Sequence, residues 1–455
     1  MRLVLPQPVN FIIEKVKSAN LEIYVVGGAV RDLLMKKSVT DWDFTTNATP
    51  SQILEIFPEG FYDNIFGTVG INLETEKKPY EITTFRTEHG YSDQRRPDSV
   101  SWGKTLEEDL SRRDFTINAM ALKPTEKGNF ELIDIFAGQK DLDSKVIRTV
   151  GDASERFSED TLRIMRAIRI ASQLGFTIEN KTFIAVVRNV SKILNISFER
   201  IRDELFKILT SDHAYDGLIL LKNSGVMELI LPEVYRGFGV EQESPGRHHI
   251  YDVGTHSLLS AKFCPSDDPL VKFATLLHDC GKPLTYKILQ NGTITFYNHE
   301  VKGAQIAYET GNRFKLSKTQ LKRLVTLVRW HQFSVDERQT DSAIRRFIRR
   351  VGKENLNDML ALRTGDRLGG GARETSWRLE KYKKRITGLL VTPFTISDMA
   401  VDGHDVMEIL DLKPGPRVGK ILNHLFTLVM EDHTKNDHDY LMSLVKSGKV
   451  PKTEP

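Results

Sequence analysis

The chain has 455 residues, a length that predicts roughly three or four compact units rather than one core. Hydrophobic residues make up 40% and charged residues 27%, as in ordinary soluble globular proteins, and two cysteines argue against a disulfide scaffold. The formal net charge is only +3, so any contact with nucleic acid must use local basic patches. No apolar run approaches the roughly 18 residues of a membrane span, and the N-terminal stretch is too short and proline-broken for a signal peptide. We therefore expect a cytoplasmic enzyme with no membrane partner.

Residues 1–150 mix short apolar strands with helices, whereas the rest of the chain is mostly helical. The predicted strands are Glu22–Val26, Trp42–Thr45, Thr68–Leu73, Tyr80–Phe85 and Glu131–Asp134, with a later one at Thr293–Tyr297. The predicted helices are Leu162–Leu174, Phe183–Val190, Ile201–Leu209 and Leu218–Leu229, and turn-rich stretches occur at Val240–Arg247 and Gly365–Ala372. This order predicts an α+β fold in which a small α/β head precedes a long helical body.

The first motif combines a glycine pair with two aspartates. An apolar strand runs into Gly27 and Gly28 and then into a helix that carries Arg31, and the glycines let the backbone approach a triphosphate closely. Asp41 and Asp43 stand one residue apart in a second apolar run, so their side chains point the same way from a strand. Paired carboxylates of this kind hold Mg²⁺, which usually bridges to phosphate oxygens. The combined pattern predicts a nucleotidyl-transfer site.

Three further segments belong to the head. Glu81, on a predicted strand, either completes the metal site as a third acid or is an ordinary exposed residue. The polar stretch 90–99 is expected to form a mobile loop beside the site. Arg112 and Arg113 precede Asp114, and their planar donors suit a triphosphate or ribose contact; a capped helix start with surface ion pairs is the alternative.

A charged ridge follows the head. At helical spacing it contains Asp160, Arg163, Arg166 and Arg169. An ionised Asp only accepts hydrogen bonds and an Arg only donates them, so the pair Asp160 and Arg163 matches the amino group and ring nitrogen of cytosine and of adenine. Uracil and guanine present an acceptor where cytosine and adenine present a donor, and the reverse. They would leave Asp160 and Arg163 unpaired, and the site would therefore reject them. The pair can therefore select CTP and ATP; a salt-bridged helix face is the alternative.

Five motifs, in this order, closely resemble those of class II CCA-adding enzymes, the bacterial tRNA nucleotidyltransferases. They are Gly27–Asp32, Asp41-x-Asp43, Arg112–Ala119, Glu159-Asp160-x-x-Arg163 and Ser197–Leu205, and the resemblance covers roughly residues 20–235. Bacterial poly(A) polymerases are similar over the same region. The resemblance implies a polymerase-β-like nucleotidyltransferase head with a neck, body and tail, which adds C, C and A to tRNA 3′ ends with Mg²⁺.

The resemblance also implies roles for single residues. Asp41 and Asp43 would bind the metal and act in catalysis. The nucleotide would be bound by Gly28, Arg31, Arg113, Asp160, Arg163, Arg166 and Arg169. The stretch Gly90–Val100 looks like the flexible loop that enzymes adding only C and C lack or shorten, which favours complete CCA addition.

A second metal centre is expected between residues 245 and 370. His256, the adjacent His278 and Asp279, and Asp366 resemble the His…His-Asp…Asp order of the HD phosphohydrolase superfamily. His299 and His331 could support a second ion. Imidazole and carboxylate ligands suit Mn, Fe, Ni or Zn, with Mg also possible. Some family relatives carry such modules with phosphatase or cyclic phosphodiesterase activity, and in others the module is structural.

Two basic helices are predicted near the C-terminus, at Ser342–Val351 and Trp377–Arg385. Their basic side chains either bind tRNA phosphates or form ordinary solvent-exposed faces. Thr395–Glu408 resembles the family's tail region, which holds the tRNA elbow. The expected domains are the head (1–150), a neck and body (151–240), an HD-type domain (241–370) and a tail (371–455).

The leading hypothesis is a CCA tRNA nucleotidyltransferase whose partners are tRNA, CTP and ATP. The alternatives are a poly(A) polymerase or A-adding enzyme, and a metal phosphohydrolase whose head only binds nucleotide. The oligomeric state stays open.

Overall fold

The computed structural model describes residues 3–64, 67–73, 78–89, 99–102, 105–125, 128–242, 250–373, 376–390 and 396–450. The chain divides into two compact units, Met1–Tyr235 and Arg236–Pro455, and the finer division into four domains stays a prediction. Residues 90–98 of the predicted flexible loop lie outside the described residues, as does most of the turn-rich stretch at Val240–Arg247. Among the described residues, no helix is both long and apolar enough to cross a membrane.

The first unit begins with mixed strands and helices and ends in helices. Its strands are Ile23–Val26 (β1), Asp43–Thr46 (β2), Phe61–Asn64 (β3), Thr68–Ile71 (β4), Tyr80–Thr84 (β5), Arg86–His89 (β6), Ser99–Trp102 (β7), Ala121–Pro124 (β8), Phe130–Ile133 (β9), Val146–Ile147 (β10) and Thr177–Ile178 (β11). Its helices are Gln7–Ser18 (α1), Gly28–Leu34 (α2), Pro50–Ile56 (α3), Leu106–Ser111 (α4), Gly138–Asp143 (α5), Ala153–Glu159 (α6), Leu162–Leu174 (α7), Asn180–Asn189 (α8), Phe198–Leu209 (α9), Ala214–Asn223 (α10), Val226–Ile230 (α11) and Pro232–Tyr235 (α12). The predicted α+β class is confirmed.

A seven-stranded sheet organises the head, in the order β3-β4-β5-β2-β1-β8-β9. Strand β1 lies near its centre, and all four of its residues are buried, as expected for a strand covered on both faces. Strands β2 and β5 are parallel, whereas the other pairings are antiparallel. The register places Asp43 beside Val26 on one side and beside Glu81 on the other. All five strands predicted in the head are present, whereas the sequence patterns do not predict β3, β6, β7, β8 and β10.

Helix α7 has the bounds that the apolar spacing predicts, but one other helix prediction is wrong. The stretch Leu218–Leu229 is two helices, α10 and α11, because Gly225 adopts a left-handed backbone with φ +82° and ends the first of them. Apolar spacing continues across the break, since residues on both sides pack into the same core.

The second unit is almost entirely helical. Its helices are Val253–Phe263 (α13), Pro269–Leu277 (α14), Lys282–Thr285 (α15), His299–Arg313 (α16), Lys318–Trp330 (α17), Asp341–Val351 (α18), Leu356–Gly369 (α19), Trp377–Leu389 (α20), Gly403–Leu410 (α21), Pro416–Glu431 (α22) and His438–Lys446 (α23). A two-stranded sheet joins Lys287–Ile288 (β12) to Ile294–Thr295 (β13).

The basic helix α18 does not present all its arginines to solvent. Arg345 is only 3% exposed, and its guanidinium donates to the carbonyl oxygen of Met430 at 3.3 Å and contacts Nδ1 of His433 at 3.2 Å. It therefore anchors α18 to the end of α22 and is not a phosphate ligand. Arg346, Arg349 and Arg350 are exposed.

The prediction of a turn-rich stretch at Gly365–Ala372 is wrong in its first half, because α19 continues to Gly369. The glycines there serve close packing against α13 rather than a turn. A Cβ at position 365 would lie 2.5 Å from the carbonyl oxygen of Ser260, and one at position 369 would lie 2.6 Å from its backbone nitrogen. Because α19 can approach α13 so closely, Asp366 comes within reach of His256.

We expect Gly365→Ala to destabilise the protein by about 1–3 kcal/mol, because the new methyl group overlaps the α13 backbone. The measurement is the midpoint of urea denaturation. Gly419→Ala in α22 is the matched control: nothing lies within 4 Å of its Cβ position, so it should be neutral or stabilise by up to about 1 kcal/mol. Equal midpoints for the wild type and Gly365→Ala would contradict the packing role.

Candidate active site and metal centre

The two aspartates of the first motif lie at the start of β2. Asp43 is the first residue of the strand and is partly buried, while Asp41 precedes the strand and is exposed. Burial raises the pKa of Asp43; Arg113 opposes this shift, and the charge of Asp41 adds to it. Two carboxylates that repel each other in a partly buried place are stabilised by a cation, and oxygen ligands suit Mg²⁺. The donor set therefore fits the expected metal.

The glycine pair borders the carboxylate of Asp43, and Gly27 rather than Gly28 lies against it. Gly27 has φ +74°, and a Cβ there would lie 3.1 Å from Nη1 of Arg113 and 3.3 Å from Oδ2 of Asp43. The Cβ position of Gly28 instead lies 3.5 Å from Nη2 of Arg31. Sequence reasoning missed Gly27, because a glycine pair does not reveal which member has the positive φ.

The arginines of the head are held by buried acids and amides. The guanidinium of Arg31 donates to Oδ1 of Asn118 at 2.8 Å and to its neighbour Asp32 at 2.9 Å. Arg112 and Arg113 both contact Asp109, at 2.5 and 3.2 Å, and Asp109 is fully buried. Burial alone would raise the pKa of Asp109, but the two arginines outweigh it and lower the pKa. The guanidinium groups are thereby fixed before any phosphate arrives.

The predicted charged ridge is wrong in one respect, because Asp160 is not on the helix. It follows α6 with extended backbone angles, φ −134° and ψ 102°, and α7 begins at Leu162. The two oxygens of Asp160 accept from the backbone nitrogen of Leu162 at 3.0 Å and pair with Arg200 at 3.5 Å. The turn gives the Asp side chain this local acceptor role, which an uninterrupted helix would not offer.

Arg163 is on α7 and nearly buried. It donates to Glu159 at 2.7 Å and to the carbonyl oxygen of Arg112 at 3.0 Å. Its contact with Arg112 joins α7 to the arginine segment of the head.

The other two arginines of α7 also have acidic partners. Arg166 donates twice to Oδ2 of Asp114, at 2.8 and 2.5 Å, and Arg169 pairs with Glu204 at 3.0 Å. Burial alone would raise the pKa of Asp114, but Arg166, with Arg163 and Asn118, lowers it to about 2. Asp114 and Glu204 were not singled out as site residues, although each stands inside a motif quoted for the resemblance.

A second cluster lies in the second unit and brings together four histidines and two aspartates. One group of three contains His256, His278 and Asp366, and the other contains Asp279, His299 and His331. Within each group the ligand atoms lie within 4.8 Å of one another. The six side chains come from the helices α13, α16 and α19 and from the residues that follow α14 and α17.

Asp279 faces both groups. Its Oδ2 lies 3.4 Å from Nε2 of His256 and 3.2 Å from Nε2 of His278, whereas its Oδ1 lies 3.4 Å from Nε2 of His299 and 3.6 Å from Nε2 of His331. The ammonium group of Lys282 contacts Oδ2 at 2.6 Å. One carboxylate is thus shared by two sets of imidazoles.

Three of the imidazoles have their orientation fixed by the backbone. Nδ1 of His278, His299 and His331 contacts the carbonyl oxygen three residues earlier, at 2.6, 2.8 and 2.7 Å. Because a carbonyl only accepts, Nδ1 carries the proton and Nε2 is left to face the cluster. This arrangement is typical of histidines that bind a metal through Nε2.

The electrostatics of the cluster favour a cation. Burial alone would lower the pKa of His278, but Asp279 and Asp366 outweigh it and raise the pKa to about 10. Burial alone would likewise raise the pKa values of the two aspartates, and their histidine neighbours hold them well below the usual range. A proton on His278 supplies the positive charge that these buried carboxylates require, and a divalent ion suits the same donor set. Both His299 and His331, expected only as supports, belong to the cluster.

Replacing Asp114 by Asn should destabilise the first unit by about 2 kcal/mol at neutral pH, because the ion pair between the buried Asp114 carboxylate and Arg166 is lost. The folded pKa lies below the unfolded value, so this contribution is present above about pH 4 and is lost as the pH falls through 2. Urea denaturation should give a gap between wild type and Asp114→Asn that is about halved near pH 3. Asp216→Asn, at an exposed site, is the control. A gap that stays constant between pH 6 and 3 would contradict the linkage.

Known protein families match segments in both units of the chain. Three family models match: the poly A polymerase head domain over residues 23–148, the probable RNA and SrmB-binding site of polymerase A over 175–236, and a putative tRNA nucleotidyltransferase domain 2 over 297–445. The first contains Asp41, Asp43 and Arg113.

Similar proteins extend over nearly the whole chain. A CCA-adding enzyme of Lactococcus lactis is 33% identical over 438 residues, which cover 96% of each chain, and one of Staphylococcus saprophyticus is 30% identical over 96% of this chain and 97% of its own. The crystal structure of the Bacillus stearothermophilus CCA-adding enzyme in complex with CTP matches with a TM-score of 0.72, 27% identity and 98% of each chain covered. The chain therefore belongs to the family of CCA-adding enzymes.

Proposed function

We propose that this chain adds C, C and A to the 3′ end of tRNA from CTP and ATP and releases pyrophosphate, with Asp41 and Asp43 as the acids of the reaction site. The observation that carries the proposal is the position of Asp43 beside Gly27 and Arg113, in a chain that matches a CCA-adding enzyme over 96% of its length. The solved relative with CTP bound supports CTP as a substrate.

Asp41 and Asp43 would hold Mg²⁺, which stabilises the charge that develops on the transferred phosphate and on the leaving pyrophosphate. Gly27 has no side chain, and its positive φ disfavours any residue that has one. The space between Asp43 and Arg113 therefore stays open for a triphosphate. Arg113 and Arg31 are fixed by Asp109 and Asn118, and their guanidinium groups would neutralise the triphosphate oxygens. Glu81 lies beside Asp43 in the sheet, and its role as a third acid is left open.

Asp160 and Arg163 would select the base. Arg200 and the Leu162 nitrogen hold the carboxylate of Asp160, and Glu159 holds Arg163, so neither side chain can turn to suit a mismatched base. Cytosine and adenine offer one donor and one acceptor to this pair, whereas uracil and guanine offer the reverse. Arg166 and Arg169 would lie toward the triphosphate or the acceptor strand, each oriented by its acid.

We expect Asp43→Ala to abolish nucleotide incorporation, because half of the metal-binding carboxylate pair is lost. The purified protein is incubated with tRNA lacking its 3′ end, Mg²⁺, and labelled CTP or ATP, separately and together. Wild-type incorporation should stop after two C and one A. Asp267→Ala, remote from the motif in sequence and exposed in the second unit, is the control for handling and folding. Open-ended AMP addition would assign the chain to poly(A) polymerases instead.

A second candidate activity belongs to the histidine and aspartate cluster, for which we propose a two-metal phosphohydrolase centre. The shared carboxylate of Asp279, between two groups of imidazoles, favours this assignment over a purely structural core. Two ions bound there would activate water and bind a phosphate oxygen. Lys282 and Arg363, which line the cavity of about 600 Å³ at this cluster, would hold the phosphate of the substrate. The metal is Mg, Mn, Ni, Fe or Zn.

His331→Ala should lower the bound metal from about two ions to about one per chain, because His331 belongs to only one of the two groups. Metal content is measured by plasma mass spectrometry after loading with Mn²⁺ and gel filtration. His438→Ala, an exposed histidine on α23, is the matched control and should keep both ions. A wild type that retains no metal would contradict the centre. Loss of metal in His278→Ala with unchanged release of phosphate would contradict its catalytic role.

A further inference from the structure

A second cavity opens next to the histidine and aspartate cluster, which we call the metal cluster. The walls of this cavity are aromatic. Its volume is about 280 Å³, slightly below the roughly 300–1,000 Å³ of pockets for whole small-molecule ligands. Trp330, Phe333, Phe347 and Tyr382 line it, together with Gln339 and Arg346. Such a space suits one flat ring better than a complete nucleotide.

The rings are arranged for stacking. The centroids of Phe333 and Phe347 are 4.6 Å apart, and Phe333 and Tyr382 stack at 5.7 Å with 26° between their planes. Two guanidinium groups lie near the ring centroid of Trp330, that of Arg329 at 4.4 Å and that of Arg350 at 5.0 Å. Nucleobases stack on aromatic rings and on arginine planes of this kind.

One polar group in the cavity wall is held in place but unsatisfied. The side-chain oxygen of Gln339 is buried, and among the described residues it has no hydrogen-bond partner. The backbone of Gln339 is fixed, since its nitrogen donates to the carbonyl oxygen of Asp336 at 3.1 Å and its carbonyl accepts from Arg385 at 2.6 Å. A buried amide without a partner is costly, and the amino group of a base would satisfy it.

The aromatic cavity neighbours the cavity at the histidine and aspartate cluster. The consecutive residues 330–333 line the two spaces, and His331 in this run is a member of the cluster. Gln332 lines both cavities. The guanidinium carbon of Arg363, which lines the metal cavity, lies 5.6 Å from the ring centroid of Phe333. Because the two cavities share a lining residue, they are direct neighbours.

We propose that the aromatic cavity binds the base of a nucleotide whose terminal phosphate lies at the metal cluster, so that the substrates of the second centre are nucleotides or RNA ends that carry a terminal phosphate. This inference rests on the proposed phosphohydrolase function. Phe347 and its neighbours stack on the base, the amide of Gln339 pairs with its amino group, and Arg346 and Arg350 neutralise the backbone phosphates. Lys282 and Arg363 hold the terminal phosphate.

The test is photolabelling of the Mn²⁺-loaded, full-length protein with 8-azidoadenosine 3′-phosphate, followed by peptide mapping, which separates this site from the nucleotidyltransferase head. We expect label in the segments around residues 330–350 and 382, and competition by excess adenosine 3′-phosphate. Phe347→Leu and the isosteric Gln339→Met should each reduce this label about tenfold. Arg349→Ala is the matched control, because Arg349 is exposed on the same helix but packs on Phe426, outside the cavity.

The outcomes separate the two proposals. Two bound ions and release of phosphate from p-nitrophenyl phosphate, without label in the cavity or with unchanged label in Phe347→Leu, would overturn the base site and leave the hydrolase standing. A protein that binds no metal and releases no phosphate would defeat the hydrolase itself. Label that survives chelation would overturn the link between the base site and the metal. An RNA with 8-azidoadenosine 3′-phosphate at its end, compared with the mononucleotide, distinguishes an RNA terminus from a free nucleotide.

Discussion

Compensation of buried carboxylates is the constraint on which the rest of this structure depends. A carboxylate removed from water is costly unless a cation accompanies it. Asp109 is buried between Arg112 and Arg113, Asp114 is buried against Arg166, and Asp279 is buried among imidazoles and Lys282. In each case the pairing fixes side chains that the proposed chemistry needs. The charges are therefore positioned by the same contacts that keep the units folded.

The two centres satisfy this constraint differently. In the first unit the compensating charges are arginines, which keep their charge at all working pH values and present fixed donors to a phosphate. In the second unit histidines compensate, and a histidine can exchange its proton for a metal ion. The arginines of the first unit can therefore bind a negatively charged substrate directly. The histidines of the second unit are suited to a permanently bound cation.

Much of the first site could be predicted from sequence because its residues stand in short motifs. Asp41, Asp43, Arg31 and Arg113 were all named from local patterns; in the structure Asp43 and Arg113 lie beside Gly27, and Arg31 lies beside Gly28. The errors occurred where packing between distant segments decides the outcome. The burial of Arg345 under α22 and the helical glycines of α19 depend on partners that lie far away in sequence, and the turn at Asp160 combines a local bond to the Leu162 nitrogen with a distant pair to Arg200.

The cluster of histidines and aspartates shows the same limit. Its members come from positions spread between 256 and 366, and the adjacent His278 and Asp279 gave the strongest local signal. His299 can reach the cluster only because residue 281 is a glycine. A Cβ there would lie 2.1 Å from the carbonyl oxygen of His299 and would push α16 away. Sequence spacing alone cannot show which glycine permits such an approach.

The way in which two of the histidines are held has a consequence for the helices that they follow. His278 and His331 are the first residues beyond α14 and α17, and each donates from Nδ1 to a carbonyl in the last turn of its own helix, Thr275 or Val328. Those carbonyls have no partner within the helix, so the imidazoles act as C-terminal caps. An ion on Nε2 favours the tautomer that keeps the Nδ1 proton. A metal ion bound at Nε2 would therefore stabilise these two helix ends against fraying as well as the cluster, because the same Nδ1 proton serves both.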